Sequence, residues 1–315
     1  MIVRALGVAA AAALVLLPLV ASPYTATLLL PAFGYAIALL GLNLLFGAAG
    51  LLSFGHALFV AIGGYTAATL TSRAGVRSLE LLLLAAAAIA AVVAVPVGLL
   101  CVRYVKIYFG MLTLAFGMLF YSFLYKFYAL TGGDEGMRVL RPMLLGRTLE
   151  HLDKIAFLTG PFYYYALGVL AAAALVMRGL VTSPFGLSLR SIRENAAKAE
   201  SLGIDVRGYR LAAFIIAAIF GAVGGVLLVV PTGLADPLLA YWTQSGNLVF
   251  MLLLGGFQHL LGPVLGAVVF ILLEDTVRSL TTYWRFVFGA MLAAIVIFFP
   301  RGLMGLLDRR RASAS

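Results

Sequence analysis

Three histidines, one cysteine and twelve carboxylates are the stock from which this 315-residue chain could build a nucleophile, a metal site or an acid–base pair. His56, His151 and His259 lie far apart, and none has a partner at metal-ligand spacing. Cys101 stands in an apolar run, which excludes an intrachain disulfide and a cysteine-cluster metal site and suits a small packed residue. The motifs G-x-x-x-x-G-K-S/T, H-E-x-x-H and G-x-S-x-G are absent, so a process that needs ATP needs another chain to bind it. Asp134 and Glu135 are the nearest approach to a carboxylate cluster, and paired acids in a solvated loop generally have no catalytic role. The expectation is no catalytic residue, no metal and no cofactor.

Polar residues inside apolar runs say more, because a polar group in lipid must find a partner and tends to line a path or an interface. Asn43, Ser53 and His56 cluster around the break Gly47–Gly55, where unwound backbone could face a water-filled cavity rather than lipid. With the weaker Thr113 they are the candidate translocation-path residues, and Gln244 is a weaker member too. An interhelical hydrogen bond that only fixes packing explains Asn43, Ser53 and His56 as readily as a path does. A stand-alone ion-coupled secondary transporter usually shows buried Asp, Glu, Lys or Arg; the apolar runs here hold almost none, with Glu274 and Asp275 near a helix end. That carrier is the rival to a permease driven by a partner's ATP, and a membrane enzyme is a more distant third class.

The elements that position these residues are membrane helices. With 63% hydrophobic and 11% charged residues and a mean hydropathy of +1.10, the chain cannot cover one soluble core with a polar surface. Lipid must be its solvent. A closed barrel would show alternating segments of about 10 residues, whereas these runs are apolar all round. The formal charge of +10 follows from the basic bias of cytoplasmic loops and implies no nucleic-acid partner.

Spans are expected at Ala5–Ala21, Leu28–Phe46, His56–Thr71, Leu79–Val102, Ile107–Tyr128, Pro161–Met177, Tyr209–Val230 and Phe286–Pro300. The stretch Asn247–Glu274, interrupted by Gly255-Gly256 and Gly262-Pro263, reads as two short helices or one, giving eight to ten transmembrane helices in an all-α polytopic bundle. Met1–Ser22 also fits a secretory signal; it is read as a retained first helix because the next apolar run begins within a few residues. The positive-inside bias places Ser183–Arg210 and the basic tail 301–315 in the cytoplasm, Thr232–Gly246 outside, and both termini inside. Arg73 and Arg77 fall outside by parity, against the bias. Gly221-x-x-x-Gly225 and Gly262-x-x-x-Gly266 suit close helix approach. Nothing marks a second, soluble domain: residues 1–315 read as one transmembrane unit.

The most charged segment is Ser183–Arg210. Ser183-Pro184 is a helix start, and Arg193–Leu202 is rich in helix formers before Gly203 stops it. Ile192, Ala196, Ala199 and Leu202 can share one face of a short amphipathic helix. Such a helix either lies on lipid headgroups or docks in a groove of a soluble partner.

The runs Gly41–Leu70 (GLNLLFGAAGLLSFGHALFVAIGGYTAATL), Tyr108–Met118, Thr131–Met137, Ser183–Phe214, Trp242–Gly256 and Phe299–Leu307, in this order, resemble the permease subunits of branched-chain amino-acid ABC importers of the LivM type. The resemblance implies a permease like those of type II ABC importers. It would form a pore with a second permease of the LivH type, served by two ABC ATPase subunits and a periplasmic substrate-binding protein in a bacterial inner membrane. It also implies that residues 183–210 form the coupling loop that meets the ATPase, with Arg193, Glu194, Asn195, Leu202 and Gly203 matching the family's pattern. The wider ABC-permease signature begins with Glu-Ala-Ala, and Ala197, Lys198 and Ala199 occupy those positions without the leading Glu. Family members also carry urea, short amides and aromatic acids, so the substrate does not follow from the resemblance.

Overall fold

Apolar runs and their caps decide where the helices begin and end. The computed structural model describes residues 14–18, 20, 22–149, 151–298 and 302–305; most of the expected first span and of the basic tail lies outside them. Helix α1 (Pro23–Asn43) starts where the Ser22 hydroxyl accepts the Thr25 N–H at 3.3 Å and Pro23 takes the first turn. It closes in a π-helical turn, Leu44–Ala48, and the chain then runs unwound through residues 49–56. There follow α2 (Ala57–Ser72), α3 (Leu79–Cys101), α4 (Ile107–Lys126) and α5 (Tyr163–Thr182). The connecting segment holds α6 (Pro184–Glu194) and α7 (Ala196–Ser201), and α8 (Val206–Thr232), α9 (Trp242–Gly255), α10 (Gly262–Leu280) and α11 (Trp284–Phe298) complete the bundle.

Among the described residues, five helices are long and apolar enough to cross a membrane: Pro23–Ala48, Leu79–Cys101, Ile107–Lys126, Lys154–Thr182 and Val206–Thr232. Ala57–Ser72 and Trp284–Ile295 are shorter apolar helices. The doubtful stretch after residue 246 is two helices, because Gly256 takes φ +100 and the chain turns back through 256–261. Helix α9 has 14 residues, roughly 21 Å of rise, and α10 carries Glu274, Asp275 and Arg278 in its second half.

The centre of the bundle is α1 and α8, each 78% buried over its most apolar window, while the α5 window is only 17% buried. Helices α3, α4 and α5 therefore turn apolar side chains such as Leu84, Leu119 and Leu175 outward, as lipid-facing helices do. Close approach at the centre is a matter of glycine. A methyl added at Gly63 of α2 would overlap the Ala222 carbonyl oxygen of α8, and one at Gly225 would overlap the Val60 carbonyl oxygen. Gly266 meets the Met251 carbonyl oxygen in the same way where α9 and α10 pack.

Loop contacts sort the helix ends onto two faces. On one, Arg193 reaches Gly47, Asn43 reaches the His259 carbonyl, and Gly302 lies against Gly256. On the other, β1 (Met137–Arg138) pairs antiparallel with β2 (Leu234–Ala235), Arg73 donates to the Ala129 carbonyl at 2.7 Å, and the Leu79 N–H meets the Met143 carbonyl at 3.1 Å. Tyr24, at the start of α1, donates to Asp275 Oδ1 at 2.6 Å near the end of α10. Successive helices of the bundle thus alternate in direction, as crossing helices must, and the chain is a polytopic, predominantly helical membrane protein.

Candidate coupling loop and polar break

The charged segment is a helical hairpin rather than one helix. Asn195 leaves the helical region at φ −154°, ψ 98°, and its Oδ1 accepts the Lys198 N–H at 3.0 Å. An Asn side chain competes with the helix for backbone donors, so it ends α6 and caps α7. Gly203 stops the second helix with φ +86, a left-handed conformation that glycine adopts without strain. The Asp205 carboxylate then caps α8 by accepting the Gly208 N–H at 3.0 Å.

The buried face of the hairpin differs from the expected one. Ile192 and Ala199 do pack together, with Val206, against Ala196, Ile204 and Tyr209. Leu202 does not join them; it is 74% exposed, because the break at Asn195 and the turn at Gly203 rotate it off that face. Phe185 stacks on Tyr209 with ring centroids 5.6 Å apart, which fastens the start of α6 to the start of α8. The hairpin is thereby held as one piece against the bundle with Leu202 and Glu194 on its exposed surface.

Arg193, itself partly open to solvent, reaches back to the bundle. One guanidinium nitrogen donates to the Gly47 carbonyl at the end of α1, and the guanidinium carbon lies 5.8 Å from the centroid of Phe257. A cavity of about 580 Å³ opens here, lined among others by Asn43, Gly47, Arg190, Glu194, Phe257 and His259. Asn43 Nδ2 donates to the His259 carbonyl at 3.5 Å, while its Oδ1 has no partner. The carbonyls at a helix end lack intrahelical donors and carry negative dipole charge, so an arginine there is doubly favoured.

The remaining path candidates lie deeper. Ser53 is 1% exposed with its hydroxyl unpartnered, and His56 is fully buried against Gly221, Phe59 and the Ala38 backbone with neither ring nitrogen in a formed hydrogen bond. Thr113 is buried too, but its hydroxyl donates to the Gly110 carbonyl of its own helix at 2.9 Å. Its backbone carbonyl presses on Gly55, where a side chain would overlap it. The structure therefore gathers Ser53, His56 and Thr113 around the unwound segment and sets Asn43 beside the hairpin. Gln244 stands apart, donating to the Tyr35 hydroxyl at 2.7 Å.

Arg190, Phe257 and His259 belong to this neighbourhood; the sequence points to neither Arg190 nor Phe257 as a path residue and sets His259 aside for want of a metal-ligand partner. Gly255-Gly256 and Gly262-Pro263 mark the break that presents Phe257 and His259, but no local pattern says what that break touches. Among the described residues no group of three His, Cys, Asp or Glu could hold a metal ion.

No solved structure gives a significant match. The permease protein LivM of the high-affinity branched-chain amino acid transport system of Escherichia coli K12 is 27% identical over 294 residues, covering 86% of this chain and 67% of its own length. The Salmonella typhimurium counterpart gives the same identity and coverage. A nucleoside ABC transporter permease, NupC of Lactococcus lactis, is 40% identical over 58 residues, 18% of each chain. Residues 24–296 match the family described as the permease component of the branched-chain amino acid transport system. Match and architecture agree, and the chain belongs to that permease family: it is a transport subunit, not an enzyme, of the kind that works with ATPase and substrate-binding components.

Proposed function

We propose that the chain is one transmembrane half of an ATP-binding-cassette importer in a bacterial inner membrane, carrying branched-chain amino acids or related small polar solutes by alternating access. A second permease of the LivH type would complete the pore, two ABC ATPase subunits would dock on the hairpin face, and a periplasmic binding protein would deliver solute to the other. In this reading residues 1–315 are one permease domain with eight to ten crossings, both termini and the 301–315 tail are cytoplasmic, and residues 183–210 couple it to the ATPase.

The observation that carries the reading is Leu202, 74% exposed at the end of a hairpin that buries only Gly186, Leu189, Ile192 and Ala199 and turns its other side, Leu187 included, outward. An exposed leucine on a charged projection that is anchored to the bundle suits insertion into a groove of a soluble partner. Ser53 and His56 supply the polar lining of a path in this reading, since buried polar groups without partners are costly unless another state gives them water or solute. The described crossing helices hold few ionisable side chains, which suits a pump driven from outside the membrane better than an ion-coupled carrier.

The test is co-purification with the candidate partners, followed by leucine uptake into proteoliposomes with ATP enclosed and binding protein outside. Uptake that needs both supports the reading. A stable complex without leucine uptake moves the substrate elsewhere, and uptake by this chain alone, abolished by an ionophore, would overturn it in favour of a carrier.

A further inference from the structure

Arg193 touches two breaks that are distant in the sequence. Gly47, whose carbonyl it binds, lies in the π-turn that closes α1 and leads into the unwound segment 49–56 carrying Ser53 and His56. Phe257, under its guanidinium, lies in the 256–261 turn between α9 and α10. The surroundings are shaped to this side chain. Gly50 has φ +70, and a Cβ there would lie 2.9 Å from Arg193 Cγ. A Cβ at Gly47 would lie 2.6 Å from both the Phe257 carbonyl oxygen and Asn43 Oδ1. Both positions therefore need glycine while the arginine and the turn occupy their places.

We infer that Arg193 is a positioning residue that transmits displacement of the α6–α7 hairpin to the unwound segment 49–56, and does so through its hold on Gly47 and Phe257 rather than by contact with the ATPase. This rests on the reading of the hairpin as the coupling element. The mechanics follow from what the residue holds. Ile192, its neighbour, is locked to Ala199 of the hairpin and Val206 at the start of α8, so the hairpin moves as a unit with that helix end and carries Arg193 with it. The guanidinium is permanently charged, planar and able to stack, so it keeps both the helix-end carbonyl and the Phe257 ring while it moves. The segment it pulls lacks the internal hydrogen bonds of a helix and yields first. Packed elements switch between discrete arrangements rather than deforming smoothly, and a link of this kind selects which arrangement the break adopts.

The test uses the full complex with a single reporter, Ala49→Cys, in a Cys101→Ala background. Labelling by a small thiol reagent is compared between the nucleotide-free and the vanadate-trapped state. With Arg193 present the two rates are expected to differ by about tenfold, the size of a one-order population shift. With Arg193→Ala the complex still co-purifies, but labelling becomes independent of nucleotide state and uptake is lost; Arg193→Lys, which keeps the charge without the stacking plane, falls between. State-dependent labelling that survives Arg193→Ala would overturn the inference. So would loss of co-purification in both variants, because that result makes Arg193 a docking contact. If the complex carrying native Arg193 does not form, the coupling reading itself fails, which separates the two failures.

Discussion

The Ser245 hydroxyl of α9 accepts the Ala57 backbone N–H at 3.1 Å, so a residue 188 positions later caps the first turn of α2. His56, at the cap position itself, offers no side-chain hydrogen bond. A buried, unpaired N–H in this setting costs about 1–3 kcal/mol. Ser245→Ala should therefore lower the stability of the purified protein by about 1–2 kcal/mol, read as an earlier thermal unfolding midpoint, while Ser245→Thr keeps most of it. Equal midpoints for the alanine variant and the native chain would mean that the cap contributes nothing.

That cap also shows what the sequence can and cannot reveal. Helix positions are legible because lipid demands unbroken apolar length: the apolar run His56–Thr71 matches the helix Ala57–Ser72, and Leu79–Val102 matches Leu79–Cys101. The helix leading into the hairpin starts earlier than the expected Pro161–Met177 span, because Pro161 sits inside a π-turn, Leu158–Phe162, that continues the Lys154–Thr182 span. The hairpin face was misjudged at Leu202, because one asparagine capping its successor splits a run that periodicity alone joins. Partner identity was not legible at all. Arg193 and Gly47 are 146 positions apart, Tyr35 and Gln244 are 209 apart, and nothing local to either member names the other.

Glycine substitutions should divide sharply by where the glycine packs. Gly63→Ala and Gly225→Ala force a methyl onto a carbonyl oxygen of the facing helix and should destabilise by about 1–3 kcal/mol, the usual cost of overpacking. Gly168, on outward-facing α5, has open space at its Cβ position, so Gly168→Ala should be neutral or stabilising by up to about 1 kcal/mol through helix propensity. Thermal unfolding in one detergent, with all three variants side by side, decides it. A neutral Gly63→Ala would show that α2 and α8 can separate at little cost.

On the face opposite the hairpin, Arg141 ties its own loop to Leu149, Leu152 and Phe157. Its Nη1 donates to the Leu152 carbonyl at 2.8 Å and the Leu149 carbonyl at 3.3 Å, and its guanidinium carbon lies 5.0 Å from the Phe157 ring centroid. Charge-assisted hydrogen bonds of this type contribute about 1.5–3 kcal/mol. Arg141→Ala should release the segment locally, with faster cleavage by a chymotrypsin-like protease and little change in the melting of the bundle. Arg141→Lys should restore part of the protection, since an ammonium reaches one carbonyl but does not stack as the guanidinium does. Unchanged cleavage in the alanine variant would mean that the segment is held by its backbone pairing alone.

Leu202 and Ile192 separate docking from folding within one hairpin. Ile192 is 1% exposed and Leu202 74% exposed, so loss of the apolar side chain should have opposite readouts at the two positions. Ile192→Ala opens a cavity against Ala199 and Val206 and should cost about 2–5 kcal/mol of local stability, seen as faster amide exchange through α6 and α7. Leu202→Glu removes no packing and should leave unfolding within about 0.5 kcal/mol of the native chain. If Leu202 fills a pocket of an ATPase partner, its loss should weaken association by at least about 30-fold, the factor corresponding to a hot spot of about 2 kcal/mol. Measured by titration of detergent-purified permease against the ATPase subunit, undiminished affinity in Leu202→Glu together with full uptake would remove this side chain from the docking surface and leave the charged residues of the hairpin to account for it.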